Sequence, residues 1–245
     1  MILDFCAKTD TGRIRNANQD FCGYHVADKY DIAFFAVADG MGGHNAGEIA
    51  SAVAITTFID AAKDFFDVDS TEGLERFMVH TVRKSNVIIW RRALQNPEMK
   101  GMGTTFVVAA VTEREVMFAN VGDSRAYVLS DGQLTQVTKD HSYVQVLLDQ
   151  GLVSKDEITN HPRKNEITRA LGAAETVDVD IFTREYKKGN YIILCSDGLS
   201  NMVSEEEMVK IILEEKSVHT ATDKLIESAN SAGGKDNITV VLIKL

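Results

Sequence analysis

Three times along this chain an apolar or β-prone run halts at an aspartate beside a glycine, and a fourth aspartate follows a glycine pair just before the last strand. The corners are Asp39-Gly40, Gly122-Asp123, Asp197-Gly198 and, after Gly233-Gly234-Lys235, Asp236. At the first of them the run Ile32 to Ala38 breaks into Asp39-Gly40-Met41-Gly42-Gly43-His44, and apolar residues then return at helical spacing. This reads as a buried strand, a tight acidic loop and a helix. A carboxylate at a strand's end, beside backbone that can approach a ligand closely, suits a hard cation such as Mg2+ or Mn2+. Taken alone, such a corner reads as a turn or a helix cap. It is the recurrence that argues for a site.

The chain has 245 residues, of which 44% are hydrophobic and 25% charged, and only two are prolines, Pro97 and Pro162. With no low-complexity linker and no internal repeat, one domain over residues 1–245 is expected. The net charge of -10 argues against a nucleic-acid or anionic-membrane partner and agrees with carboxylates that await cations. No apolar run reaches the length of a membrane span, and the N-terminus lacks the basic and apolar regions of a signal peptide. A cytoplasmic protein is expected, with Cys6, Cys22 and Cys195 as reduced, packed thiols.

Residues 2–9 read as a strand. A polar loop, Thr11 to Asp20, then enters a short strand, Phe21 to His25. In that loop Arg15 offers a planar fork to a phosphate, and Asp20 can join an acidic site. A core helix is predicted from Ala46 to about Phe66. Residues 67–78 faintly resemble a calcium loop, but Glu72 stands where the glycine belongs and Met78 where the bidentate acid belongs. Thr71 is expected to cap the next helix, which runs to about Gln95 with Trp90 packed.

Gly101-Met102-Gly103-Thr104-Thr105 opens a β-prone region with strands at 106–111, 116–121 and 125–129, a turn at 130–133 and a strand to Val137. From about 142 to 172 the β signal stops. Short amphipathic pieces at 144–148, 156–158 and 166–171 predict a small helical excursion that covers a site or recognises a partner. A strand from Tyr191 to Ser196, helices near 204–215 and 218–231, and a strand from Ile238 complete the chain.

If Asp39, Asp123, Asp197 and Asp236 converge, their repulsion raises at least one pKa, and divalent cations relieve it. With no Cys or His at ligand spacing, the oxygen donors favour Mg2+ or Mn2+ over structural zinc. Two such ions, about 3.5–4 Å apart, can lower the pKa of a shared water to near neutral. Together with an arginine for phosphate, this suits in-line attack on phosphorus. Neither a G-x-x-x-x-G-K-[ST] loop nor a G-x-S-x-G elbow is present, which favours direct attack by water activated at the metals.

Six segments in order carry a family resemblance. They are Arg15-Asn16-Ala17-Asn18-Gln19-Asp20, Ala38-Asp39-Gly40-Met41-Gly42-Gly43-His44, Gly101-Met102-Gly103-Thr104-Thr105, Gly122-Asp123-Ser124-Arg125, Ser196-Asp197-Gly198-Leu199 and Gly234-Lys235-Asp236-Asn237. Over its whole length the chain resembles the metal-dependent protein serine/threonine phosphatases of type 2C, in their compact bacterial form. The resemblance implies an α+β fold, a four-layer α-β-β-α sandwich of two antiparallel sheets flanked by helices, with a variable flap at about 142–172. It implies two core cations, Mn2+ or Mg2+, and a weaker third. Asp39 would bridge two metals and the Gly40 carbonyl would bind one, with Asp197 and Asp236 completing the first metal's shell, Asp20 acting on the second through water, and Asp123 joining Asp197 at the third ion.

Arg15 would grip the substrate phosphate. Animal relatives place a histidine directly after the Asp-Gly, as the proposed general acid. Here that position is Met41, which leaves His44 as the nearby proton donor and a metal-bound water as its rival. The implied activity is hydrolysis of phosphoserine and phosphothreonine in proteins by a metal-bridging hydroxide, in a cytoplasmic monomer opposing a Ser/Thr kinase. A small-molecule phosphomonoesterase and an inactive phosphoprotein-binding relative are the alternatives.

Overall fold

The computed structural model describes residues 3–27, 31–43, 46–65, 70–158 and 161–245. Its architecture follows from strands that are apolar on both faces. In β3 (Ile32–Met41) Ile32, Phe34, Ala36 and Ala38 face one way, against α1 (Ala46–Lys63) and α2 (Thr71–Gln95). Ala33, Phe35 and Val37 face the other way and meet Ile192, Leu194, Val241 and Ile243 of the opposite sheet. In β10 (Tyr191–Cys195) and β11 (Ile238–Lys244) the alternate residues, Ile193, Cys195, Val240 and Leu242, pack on α6 (Glu205–Glu214) and α7 (Val218–Ser231). Three separate cores therefore lie between four layers, helices–sheet–sheet–helices. This is the α-β-β-α sandwich. Burying each large apolar side chain contributes about 1.5–3 kcal/mol, so strands with two buried faces anchor the whole stack.

Both sheets are antiparallel along their main paths. One runs β1-β11-β10-β7-β8, with β1 (Asp4–Asp10), β7 (Arg125–Ser130) and β8 (Gln133–Gln136). The other runs β2-β3-β5-β6-β9, with β2 (Asp20–Ala27), β5 (Phe106–Val111), β6 (Glu115–Val121) and β9 (Asp180–Glu185). The two-residue β4 (Gly103–Thr104) pairs with the end of β3. Ala50, Ala54, Phe58 and Ala62 form a buried i, i+4 stripe on α1. Gly23 of β2 admits that helix, since a Cβ there would lie 2.6 Å from Cγ2 of Ile55.

Four sequence expectations change. The strand β9 was not foreseen; its residues are only half-buried and carry charge, so they lack a strand's apolar signature. Residues 166–171 are not helical. Ile167 bridges Ser142 and Leu171 bridges Thr104, which makes this piece an extended return towards the sheet. Ser70, not Thr71, caps α2, accepting a hydrogen bond from the Gly73 N–H. Helix α1 ends at Lys63, short of Phe66. Phe66 and the calcium-loop positions Asp67 and Asp69 lie outside the described residues. The excursion after Asp140 does hold helices, α3 (Tyr143–Asp149) and α4 (Lys155–Ile158), and a short turn at Asp197–Ser200 forms α5.

Candidate metal centre

Five aspartates from five chain segments gather at one end of the sandwich. Asp20 opens β2 directly opposite Asp39 in β3, so sheet register alone makes them neighbours. Asp123 sits in the corner between β6 and β7, Asp197 opens α5 after β10, and Asp236 precedes β11. Asp39 feels the charges of all four others. Its carboxyl is pushed well above the usual range, by burial first and then by Asp20, Asp197, Asp123 and Asp236.

The same causes act on the rest. Burial raises Asp20 to about 7, opposed by two hydroxyl donors and reinforced by Asp197 and Asp236. Burial and then Asp197 and Asp140 raise Asp123 to about 8. Burial and then Asp236 raise Asp197 to about 6, although a hydrogen bond with Asp39 pulls it down.

Backbone and hydroxyl contacts hold the acids in place. The Asp39 N–H donates to Oγ1 of Thr105 (3.0 Å), and the Asp39 carbonyl accepts from the Thr104 hydroxyl and the Thr105 N–H, both at 2.9 Å. Oγ1 of Thr105 is 2.7 Å from Oγ of Ser124, which ties the first corner to the second. Asp20 bridges the two sheets. Its Oδ2 accepts from the hydroxyls of Ser196 and Thr239, each at 2.7 Å. Arg125 is bidentate on Asp140 and moderates the charge at both Asp123 and Asp197. Sequence reasoning passed over Ser196 and Thr239 as ligand-orienting hydroxyls, since nothing local distinguishes them from ordinary strand residues.

Gly40 has no room for a side chain. A Cβ there would lie 2.5 Å from the Gln19 carbonyl and clash with the Gly47 backbone. Gly40→Ala is therefore expected to cost at least about 3 kcal/mol, the upper end of overpacking penalties, read as a lower urea midpoint. An unchanged midpoint would show that the loop yields.

Arg15 stands at the rim, with its side chain 55% exposed and its guanidinium donating to Oδ2 of Asp236 at 2.8 Å. That hydrogen bond is the main reason its pKa rises. The loop that carries it is fastened to the Asp236 corner: Asn237 donates to the carbonyls of Thr11 (2.9 Å) and Ala17 (3.0 Å) and accepts from the Gln19 N–H (2.9 Å). His44 lies outside the described residues.

The donor set fits hard divalent cations. Among the described residues, Asp20, Asp123 and Asp197 each keep one buried carboxylate oxygen without a hydrogen-bond partner. Buried oxygens of this kind are costly unless a cation or water meets them. No three acids, histidines or cysteines among the described residues close into a ready-made cage around one ion.

The family profile described as "Protein phosphatase 2C" matches residues 13–238. The chain belongs to the protein phosphatase 2C family. It is similar to the serine/threonine phosphatase Stp of Listeria innocua, at 43% identity over 97% of this chain and 94% of that protein. It is also similar to the protein phosphatase PhpP of Streptococcus pneumoniae, at 36% identity over 99% of this chain and 98% of that one. Among solved structures, the S. agalactiae serine/threonine phosphatase superposes with a TM-score of 0.92 at 34% identity, covering 100% of both chains. The catalytic domain of the serine/threonine protein phosphatase PstP, in complex with two manganese ions, superposes at 0.83 with 36% identity, covering 99% of this chain and 97% of that one. Both the family and the sandwich expected from the sequence are thereby borne out.

Proposed function

We propose that this phosphatase-2C chain hydrolyses phosphoserine and phosphothreonine in proteins with divalent cations at the aspartate cleft. The observation that carries this is the convergence of five mutually repelling carboxylates with unpaired buried oxygens beside a guanidinium. Bound there, Mn2+ or Mg2+ supplies water acidic enough to lose a proton near neutral pH and positive charge for the phosphoryl oxygens. Asp39 would serve both core ions and the Gly40 carbonyl one of them, Asp197 and Asp236 would complete one shell, and Asp20 would act through water. Asp123, with Asp197, would hold a weaker third. The hydroxyls of Ser196 and Thr239 fix Asp20 through one oxygen and leave the other without a hydrogen-bond partner.

Arg15 positions the phosphate. A phosphate at the cleft competes with Asp236 for its fork, and bidentate pairing would hold the substrate phosphate there. His44 is assigned the proton for the departing alkoxide, on sequence grounds. Residues 1–245 form one catalytic domain, with 142–172 as the flap. The protein acts as a cytoplasmic monomer opposing a Ser/Thr kinase; among the described residues no helix is long and apolar enough to cross a membrane.

The test is phosphate release from a phosphothreonine peptide, from a sugar phosphate and from a nucleotide, in Mn2+ and in EDTA. Turnover of the peptide alone, lost in EDTA, is expected. Arg15→Ala should raise KM for the peptide about tenfold, the loss of a charge-assisted pair, with kcat little changed. Turnover that survives EDTA would sink the reading, and preference for the sugar phosphate would replace its substrate.

A further inference from the structure

Beside the acidic cleft lies a second cavity, apolar where the first is charged. Its volume is about 360 Å3, and its walls include Met41, Trp90, Leu94, Lys100 and Met102. Leu94, on the last turn of α2, is 66% exposed, and Trp90 is half-buried one turn earlier. Together with the apolar cavity between them, the exposed leucine and the half-exposed tryptophan offer a surface on which an apolar side chain can rest.

This groove is continuous with the metal centre through the backbone. Met41 ends the strand that bears Asp39, and it pairs with Gly103 of β4. The next residue of β4, Thr104, donates its hydroxyl to the Asp39 carbonyl. Gly42, in the loop that leaves Asp39, packs on Met102, where a Cβ would lie 3.2 Å from the Met102 Cα. One side of the glycine-rich loop therefore borders the acids and the other borders the groove.

The charge around the groove also runs against that of the whole chain. The protein carries -10, yet the residues that line the groove include one cation, Lys100, and no acid. A segment made negative by its own phosphate is repelled least on this side.

We infer that this groove is a substrate subsite: it takes an apolar side chain of the phosphoprotein, a few residues from the phosphorylated serine or threonine. The assignment rests on the phosphoprotein reading above and adds a reason for preferring proteins to small phosphomonoesters. A sugar phosphate fills the acidic cleft and cannot reach the groove. A peptide chain crossing Met41 fills both. Met41 and Met102 suit a pocket that accepts several apolar shapes, because unbranched thioether chains adapt to what they cover.

The experiment uses the full chain and a phosphothreonine peptide of otherwise small residues, with a single leucine moved through positions -4 to +4. Para-nitrophenyl phosphate serves as the substrate too small to reach the groove. At one or two positions leucine is expected to raise kcat/KM about tenfold over alanine, mainly through KM, the scale of an apolar pocket contact. Leu94→Glu, at a position exposed enough to leave folding intact, should erase that preference while metal-dependent turnover of para-nitrophenyl phosphate stays unchanged.

No preferred position, or a preference that persists in Leu94→Glu, overturns the subsite. So does sedimentation showing a dimer that Leu94→Glu converts to monomer, which would make the groove a contact between copies. Absence of metal-dependent turnover on every substrate would instead remove the phosphatase reading, and the subsite with it.

Discussion

Asp39→Asn is expected to lower phosphopeptide turnover by on the order of 10²-fold or more, beyond the 10–100-fold that loss of a mere outer-shell partner brings. Asp39 is the acid that feels all four other carboxylates, and its pKa stands well above the ordinary range. It is thus where a cation removes the most repulsion, and the resemblance places it between two ions. An amide is neutral and binds hard cations weakly, so both ions are lost together. The same change has an opposite effect on the fold. Removing one charge from a buried acidic cluster should raise the melting temperature of the EDTA-treated protein at pH 8, while Mn2+ should no longer stabilise it. Paired kinetics and thermal melts check both halves. Turnover near the unmutated level, or a lower melting temperature without metal, would show that Asp39 has a structural role.

The metal-free protein is expected to lose stability as pH rises, and Mn2+ to reverse the trend. Asp197, Asp20 and Asp123 have folded pKa values of about 6, 7 and 8, each raised from 3.8 chiefly by burial. Between 3.8 and those values the folded chain keeps protons that the unfolded chain has released. Its advantage therefore shrinks with rising pH, by about 1.4 kcal/mol per pH unit for each proton of difference.

His141 works the other way, since burial lowers its pKa from 6.5 and its neutral form is favoured by folding. Its contribution is complete above about 6.5, so the fall is cleanest from there to pH 8. In EDTA the melting temperature should drop by on the order of 5–10 °C across that interval, as a chain of this size shifts by roughly 2–4 °C per kcal/mol. Saturating Mn2+ should lift it more at pH 8 than at pH 6.5, because deprotonated carboxylates are the ligands. A flat or rising profile in EDTA would show that the acids are solvated rather than buried together.

His141 also fastens the segment that follows Asp140 to the Asp123 corner. Its Nδ1 accepts from the Gly122 N–H at 2.9 Å, directly before Asp123. Its Nε2 lies 3.1 Å from Asp180, and Arg169 donates to Asp180 at 2.6 Å. The unforeseen strand β9 thus begins at Asp180, the residue that holds both His141 and Arg169. Its charged, half-buried sequence hid it from a search for apolar alternation, and its partners are 11 and 39 residues away.

What the sequence determined by itself was local and repetitive. Apolar runs ending at Asp39, Asp123 and Asp197, and the acid at Asp236 before the last strand, are short-range patterns, and backbone sterics and burial impose them wherever such residues occur. Strands apolar on both faces already require cover on each side. The family resemblance rests on six short segments in order, and it foretold the sandwich. What only the tertiary structure decided is which of these pieces meet.

Asp20 and Thr239 are 219 residues apart, yet hydrogen-bonded across two sheets. Arg15 and Asp236 are 221 apart, yet ion-paired at the rim. The apolar groove exists only because the end of α2 comes to rest beside the loop that leaves Asp39. Contacts of that span carry no periodicity along the chain. They are set by sheet register and layer packing, in which a shift of one residue would turn every carboxylate to the wrong face.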